Sequence, residues 1–277
     1  MTLADEGFLE LPPMRLEYRM IGPRPDAAPT IVMLHEGLGC VDLWGAFPEQ
    51  LASATGAGVF VYSRAGYGKS SPGKLPRPVS FMHEEALDVL PRVLEAIGFQ
   101  RGILFGHSDG ASIATIYAGS VQDHRVRGLV LMAPHFLTED MGLAEIRRAR
   151  EAFDSGELRD KLKRWHADVD CAFRSWNGPW LDPDFKAWDI TDALGYIRVP
   201  ILIVQGADDQ YGTLKQVEAA QQECYCPVET AVLPGVRHSP HRDAPAATLE
   251  VTAAFINRLL RDHHEGEPHL HSGVAAE

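Results

Sequence analysis

Short apolar runs rich in β-branched residues recur along this chain, each closed by Gly, Pro or a polar turn, with longer segments of helical period between them. Such alternation has one broad solution: parallel strands joined by helical crossovers, with helices covering both faces of the sheet. The expected strands are Ile31 to Leu34, Val59 to Tyr62, Ile103 to Phe105, Leu129 to Met132, Ile201 to Val204 and Val228 to Leu233, all read as buried central strands. The covering helices are expected at Glu84 to Ile97, Ala111 to Ala118 and Ala246 to Leu260, where Leu249, Ala253, Ile256 and Leu260 recur at three- and four-residue spacing. A length of 277 residues suits one such domain with an insertion.

The insertion shows as a break in the rhythm. Between Pro134 and Pro200 the strands stop and a helical pattern takes over, including Leu143 to Phe153 and Leu158 to Phe173. Four of the chain's 5 tryptophans, Trp165, Trp176, Trp180 and Trp188, lie here among dense charged residues. A small helical cap with an aromatic underside accounts for both facts, its tryptophans either forming the cap's own core or, one or more of them, roofing a pocket. The expected layout is a core over 1-134 and 198-262, a cap over 135-197 and a disordered tail over 263-277, whose His, Glu, Gly, Pro and Ser residues lack apolar period.

Charge narrows the partners. With 26 Lys plus Arg against 38 Asp plus Glu, the formal charge of -12 repels phosphate backbones and anionic membrane surfaces, so neither nucleic acid nor membrane is expected. Cys40, Cys171, Cys224 and Cys226 are expected to be reduced thiols, and Cys224-Tyr-Cys226 lacks the spacing and second ligand pair of a zinc site. The first residues lack a basic start with an apolar run, and no apolar stretch reaches membrane-spanning length, which makes the cytoplasm the expected compartment.

The chemistry concentrates at Gly106-His-Ser108-Asp-Gly110, between an apolar strand and a helix of small residues. Glycines two before and two after the serine let strand and helix approach where a Cβ would clash, so Ser108 sits on a strained turn with its Oγ exposed. A serine hydroxyl needs a base within hydrogen-bond reach, itself held in one tautomer by a carboxylate. His238, in the loop between the last strand and the last helix, and Asp209, in Gln205-Gly-Ala-Asp-Asp209, can fill those roles. His241 competes as base and otherwise caps the helix starting near Pro245; Asp208 competes as acid. His107 cannot bring its ring to the neighbouring Ser108 Oγ and is read as pocket wall or packing.

These segments resemble the α/β-hydrolase superfamily from Ile31 to Leu260. His35-Glu-Gly-Leu-Gly39 resembles its oxyanion loop, Arg64-Ala-Gly-Tyr-Gly-Lys-Ser70 the turn after the next strand, Gln205 to Asp209 the acid turn and Gly235-Val-Arg-His238 the histidine loop. The resemblance implies the order Ser108, Asp209, His238, with the acid three residues after Gly206; a variant of the pattern would place it after the preceding strand, at Glu139 or Asp140. Backbone N–H groups of Gly37 and Asp109 would form the oxyanion hole, and Leu38, His107 and Trp188 would contact substrate. Glu36 departs from the pattern, standing where a glycine is usual. It is read either as a substrate-facing carboxylate near the nucleophile or as a loop residue paired with a nearby Arg or amide, the latter favoured because an uncompensated anion there would oppose the oxyanion.

The implied activity is that of a serine hydrolase acting through an acyl-enzyme on a small carboxylic ester, thioester or lactone, with a small molecule as partner and neither cofactor nor metal. C–C bond hydrolysis on the same fold and a non-catalytic binding protein are the alternatives.

Overall fold

The computed structural model describes residues 3–261; the tail expected over 263-277 lies outside them. Eight strands, β1 (Glu6–Leu11), β2 (Met14–Ile21), β3 (Thr30–Leu34), β4 (Gly58–Tyr62), β5 (Gly102–His107), β6 (Val126–Met132), β7 (Ile201–Gly206) and β8 (Val228–Leu233), form one sheet in the order β1-β2-β4-β3-β5-β6-β7-β8. From β4 to β8 all pairs are parallel. This is the mainly parallel sheet that the alternation of periods predicts.

Neighbouring residues of the central strands point to opposite faces. Val32, Leu34, Leu104, Leu129, Leu131 and Ile203 enter one buried cluster, while Ile31, Met33, Ile103, Val130, Met132 and Val204 enter the other. Burying each such side chain contributes about 1.5–3 kcal/mol against leaving it in water. The helices follow in chain order: α1 (Phe47–Thr55), α2 (Phe81–Glu84), α3 (Leu90–Ala96), α4 (Asp109–Val121), α5 (Asp140–Asp154), α6 (Glu157–Leu162), α7 (Val169–Trp180), α8 (Thr191–Leu194), α9 (Lys215–Glu223), α10 (Pro240–Asp243) and α11 (Pro245–Arg261). Leu51 of α1 and Phe255 and Ile256 of α11 join the second cluster; Phe153, Phe173, Trp176 and Trp180, from α5 and α7 between β6 and β7, extend the first.

Three expectations need correction. The N-terminal hairpin β1–β2 is antiparallel and was not foreseen, because its apolar residues alternate with charged ones and half the face is wet. Among the described residues β8 is an edge strand, paired with β7 alone and with its side chains largely exposed, although its composition reads as a buried strand. The helix expected over Leu158 to Phe173 is two, α6 and α7; Asp168 breaks the run by accepting the Cys171 N–H at 2.9 Å as an N-cap. Among the described residues no helix is long and apolar enough to cross a membrane.

The parallel register brings the strand ends into line: Leu34 pairs with Gly106, His107 with Met132, Met132 with Val204 and Gly206 with Leu233. Loops leaving these carboxyl ends share one crevice, the usual ligand position in an open α/β sheet.

Candidate active site

Ser108 follows β5 immediately, with φ +53° and ψ -117°, a left-handed conformation that a side chain-bearing residue adopts only when its surroundings impose it. The two flanking glycines impose it. A Cβ on Gly106 would lie 2.3 Å from the Gly110 carbonyl oxygen, and one on Gly110 would lie 2.0 Å from that of Leu34. The turn is closed by Ser108 N–H donating to Met132 O at 2.9 Å and Ser112 N–H donating to Ser108 O at 3.1 Å.

The Ser108 Oγ stands 2.9 Å from His238 Nε2, and His238 Nδ1 stands 2.9 and 2.8 Å from Asp209 Oδ1 and Oδ2. A carboxylate only accepts, so Nδ1 carries the hydrogen and Nε2 is left to receive the serine proton. Asp209 is itself held: Tyr211 N–H donates to Oδ1 at 2.8 Å and the buried Gln205 amide to Oδ2 at 2.9 Å. Burial alone would push this carboxyl up, but His238 and the Tyr211 N–H outweigh it, and its pKa is lowered to about 2. Asp208 is exposed and its N–H is spent on Val236 O. Glu139 accepts from Thr213 and Gln216 and so ties the start of α5 to α9. His241 is neither base nor cap: it lies buried in α10 against Trp44 and Phe47 with both ring nitrogens unpartnered, and burial lowers its pKa to about 3.

The loop after β3 is pinned from below by Arg64, fully buried, whose guanidinium donates to His35 O and Glu36 O. Arg64 N–H also donates to His35 Nε2 at 3.0 Å, so His35 Nδ1 bears the hydrogen that it gives to Glu36 O. His166, between α6 and α7, accepts from Gly68 N–H at 3.0 Å and donates to Leu38 O at 3.1 Å, joining that segment to the loop. No loop or cap carbonyl among the described residues accepts from Gly37 N–H or Asp109 N–H.

These groups line a cavity of about 120 Å³, walled by Glu36, Gly37, Leu38, Ser108, His135, Gly142, Ile146, Trp176, Trp180, Tyr211 and His238. Leu38 and Gly37 line this cavity. His107 and Trp188 do not. His107 is fully buried behind Ser108, its Nε2 2.7 Å from His238 O, because the turn that exposes one side chain turns its predecessor into the core. Trp188 stacks on Phe185, ring centroids 5.1 Å apart, and Trp165 is also absent from the walls. The aromatic walls are Trp176 and Trp180, spaced four apart on one face of α7, and Trp180 Nε1–H donates to Asp109 Oδ1 at 3.1 Å.

His135 and Tyr211 escaped the sequence reading, although both follow the carboxyl end of a parallel strand, which is a usable signal. His135 lies edge-on to Trp180 and 5.5 Å from the His238 ring; burial and then the nearby imidazole lower its pKa to about 3. A larger groove of about 500 Å³, lined in part by Tyr117, Arg127, Arg198 and Leu259, contains none of the groups around Ser108. The crevice around Ser108 therefore brings together a hydroxyl, an imidazole whose Nε2 faces it, and a carboxylate that fixes that imidazole.

A family model described as "alpha/beta hydrolase fold" matches residues 29–164. A proline iminopeptidase of Lactobacillus helveticus is 24% identical over 247 residues, covering 74% of this chain and 82% of the relative. Among solved structures, VinJ superposes with a TM-score of 0.70 at 22% identity, covering 92% of this chain and 98% of its own. The proline iminopeptidase of Mycobacterium smegmatis superposes with a TM-score of 0.71 at 18% identity, covering 91% and 98%. With the Ser108 elbow at the end of β5 and the sheet order around it, these likenesses agree on one conclusion: the chain has the α/β-hydrolase fold.

Proposed function

We propose that this protein is a serine hydrolase that cleaves a small carboxylic ester, thioester or lactone through an acyl-enzyme, with Ser108 as nucleophile, His238 as base and Asp209 as its orienting acid. The observation that carries the reading is the continuous chain from Ser108 Oγ through His238 to Asp209, each link at 2.8–2.9 Å. His238 Nε2 takes the Ser108 proton as Oγ attacks the acyl carbon. The resulting oxyanion accepts from Gly37 N–H and Asp109 N–H, the latter at the positive end of α4. Collapse expels the alcohol or thiol, which takes the proton from His238, and water attacking by the same route releases the acid and restores Ser108. The helical segment over 135-197 serves as a cap, with Trp176 and Trp180 as its roof. A cavity of about 120 Å³ beside Ser108, with Trp176 and Trp180 among its walls, gives the acyl group an apolar surface to pack on.

The relatives named for proline removal favour a second reading, an amide of an N-terminal proline, which needs an anion to hold the substrate's amine. Glu36 faces the cavity, but its Oε1 lies 3.6 Å from Arg242 and its Oε2 3.4 Å from His107, so its charge is already compensated. The test is fluorophosphonate labelling of wild type and Ser108→Ala, then turnover of aryl acetates, acyl thioesters, lactones and a prolyl arylamide. Labelling that maps to Ser108, with esters turned over faster than the arylamide, is expected; labelling elsewhere or none refutes the nucleophile, and a preferred arylamide refutes the substrate class.

A further inference from the structure

Glu36 stands where the superfamily pattern has glycine, and His107 stands immediately before the nucleophile; the proposed reaction uses neither. Their geometry leaves one proton to be explained. His107 Nε2 is 2.7 Å from the carbonyl oxygen of His238, which can only accept, so Nε2 bears a hydrogen. His107 Nδ1 has no hydrogen-bond partner, is buried, and faces the Glu36 carboxylate oxygen Oε2 at 3.4 Å. In a neutral ring with its hydrogen on Nε2, a nitrogen lone pair would point at a carboxylate inside the protein, an arrangement with nothing to offset its cost.

We infer that Glu36 and His107 hold one shared proton, and that this bridge is a positioning device joining the three segments that make the site. Glu36 precedes Gly37 in the loop after β3, His107 precedes Ser108 at the elbow, and His107 grips the main chain of His238. The imidazole thus fixes the spacing between oxyanion donor, nucleophile and base from behind, touching none of the reacting atoms.

The surroundings favour that charge distribution. Arg242 of α10 faces the other Glu36 oxygen at 3.6 Å, while the rings of His241 and His238 lie 5.2 and 5.3 Å from that of His107, with Trp44 at 6.1 Å. Arg64 reaches Glu36 only through its carbonyl. Burial pushes the Glu36 carboxyl up, yet His107 and then Arg242 outweigh it and hold the group well below the usual carboxylate range. His241, lowered to about 3, is neutral and adds no competing charge.

Without that proton Glu36 would face a bare lone pair and the three segments would loosen. Glutamine at 36 can instead donate its amide N–H to a neutral His107 Nδ1, keeping the bridge without a proton to lose. The direct test is ring-nitrogen NMR on histidine-labelled whole protein, which needs no substrate and so stands apart from the hydrolase reading. An imidazolium pattern is expected at pH 7, to vanish in His107→Asn, and to become a neutral Nε2–H ring in Glu36→Gln. If His107→Asn does not fold, the response to Glu36→Gln makes the assignment. A neutral His107 near pH 7, or a ring unchanged in Glu36→Gln, overturns the proposal.

The kinetic arm rests on ester hydrolysis at Ser108. Glu36→Ala is expected to lower kcat about 10- to 100-fold with KM little changed, and Glu36→Gln to recover most of that loss. An equal loss in both variants would assign Glu36 to packing alone and overturn the shared proton. Absence of ester turnover in wild type would count against the hydrolase reading, leaving the spectrum to decide the bridge.

Discussion

Gly37→Ala is the smallest change that tests how the site is built. An added Cβ would lie 2.1 Å from Trp176 Cδ1 and 2.3 Å from its Nε1, against an ordinary contact of 3.4 Å or more, so something must give by about 1.3 Å. The indole has little room, since Trp176 is 7% exposed and packed edge-on to Phe173. The loop has none, because Arg64 grips it at both His35 O and Glu36 O. Gly37 does not have positive φ, so steric overlap rather than backbone strain is the only cause at work. A misplacement near 1 Å beside the reacting carbon costs about 100-fold in rate. The assay is kcat/KM for an acetyl ester, too small to need the roof, across wild type, Gly37→Ala, Trp176→Ala and the double variant, with thermal melts alongside. Gly37→Ala is expected to lose about 100-fold and the double variant to regain about tenfold or more, a coupling of about 1.4 kcal/mol. An active Gly37→Ala, or a double variant as poor as the two single losses combined, would refute the claim that the indole and the loop are in contact under working conditions.

Asp209→Asn is expected to lose about 10⁴ in kcat through the wrong imidazole tautomer, whereas Asp208→Asn, changing an exposed side chain, should leave kinetics near wild type; equal losses in both would undo the acid assignment. His241 is neutral in the fold but charges in the unfolded chain below about pH 6.5, so the unfolded state binds more protons and stability falls as pH drops from about 6.5 towards about 3. His241→Leu, which keeps an apolar contact with Trp44 and Phe47, should therefore melt higher than wild type at pH 5 and show less gain at pH 8; parallel melting curves would refute this. Trp180→Ala should raise KM for bulky acyl esters far more than for acetyl esters, while Trp188→Ala, removed from the cavity, should lower Tm and leave the ratio of the two substrates unchanged.

The parallel strands were legible because burial on both faces writes continuous β-branched runs, and the elbow was legible because its glycines are sterically forced. Asp209 and His238 followed from the same logic, since each lies just past a strand end where parallel register collects the loops. The β1–β2 hairpin was not legible: Glu10, Arg15 and Arg19 alternate with Leu9, Leu11, Leu16 and Tyr18, and only pairing decides which face is covered. β8 misled for the converse reason, an apolar run at an edge. Glu36 looked like a liability beside an oxyanion because its partners, His107 and Arg242, lie 71 and 206 positions away in a chain that only the fold brings together.

The walls of the cavity were the hardest part to read, and α7 shows why. Phe173, Trp176 and Trp180 recur at three and four residues, so they share one helix face whatever that face covers. Periodicity cannot separate a face that seals a core from a face that roofs a cavity; the difference lies in what stands opposite. For Trp176 that is Gly37, where the missing Cβ makes room for the indole, and for Trp180 it is the Asp109 carboxylate, buried and pushed up by that burial, which accepts the indole N–H. Both partners belong to segments whose main chain faces the nucleophile. The residues that place the aromatic walls therefore also carry the two N–H groups assigned to the oxyanion, so a substitution that moves an indole shifts rate and acyl preference together. Trp180→Phe tests this directly: losing the N–H···Oδ1 bond but keeping most of the aromatic wall, it should lower kcat on acetyl and bulky esters alike while changing their ratio by less than Trp180→Ala does, and an unchanged kcat would separate wall from chemistry.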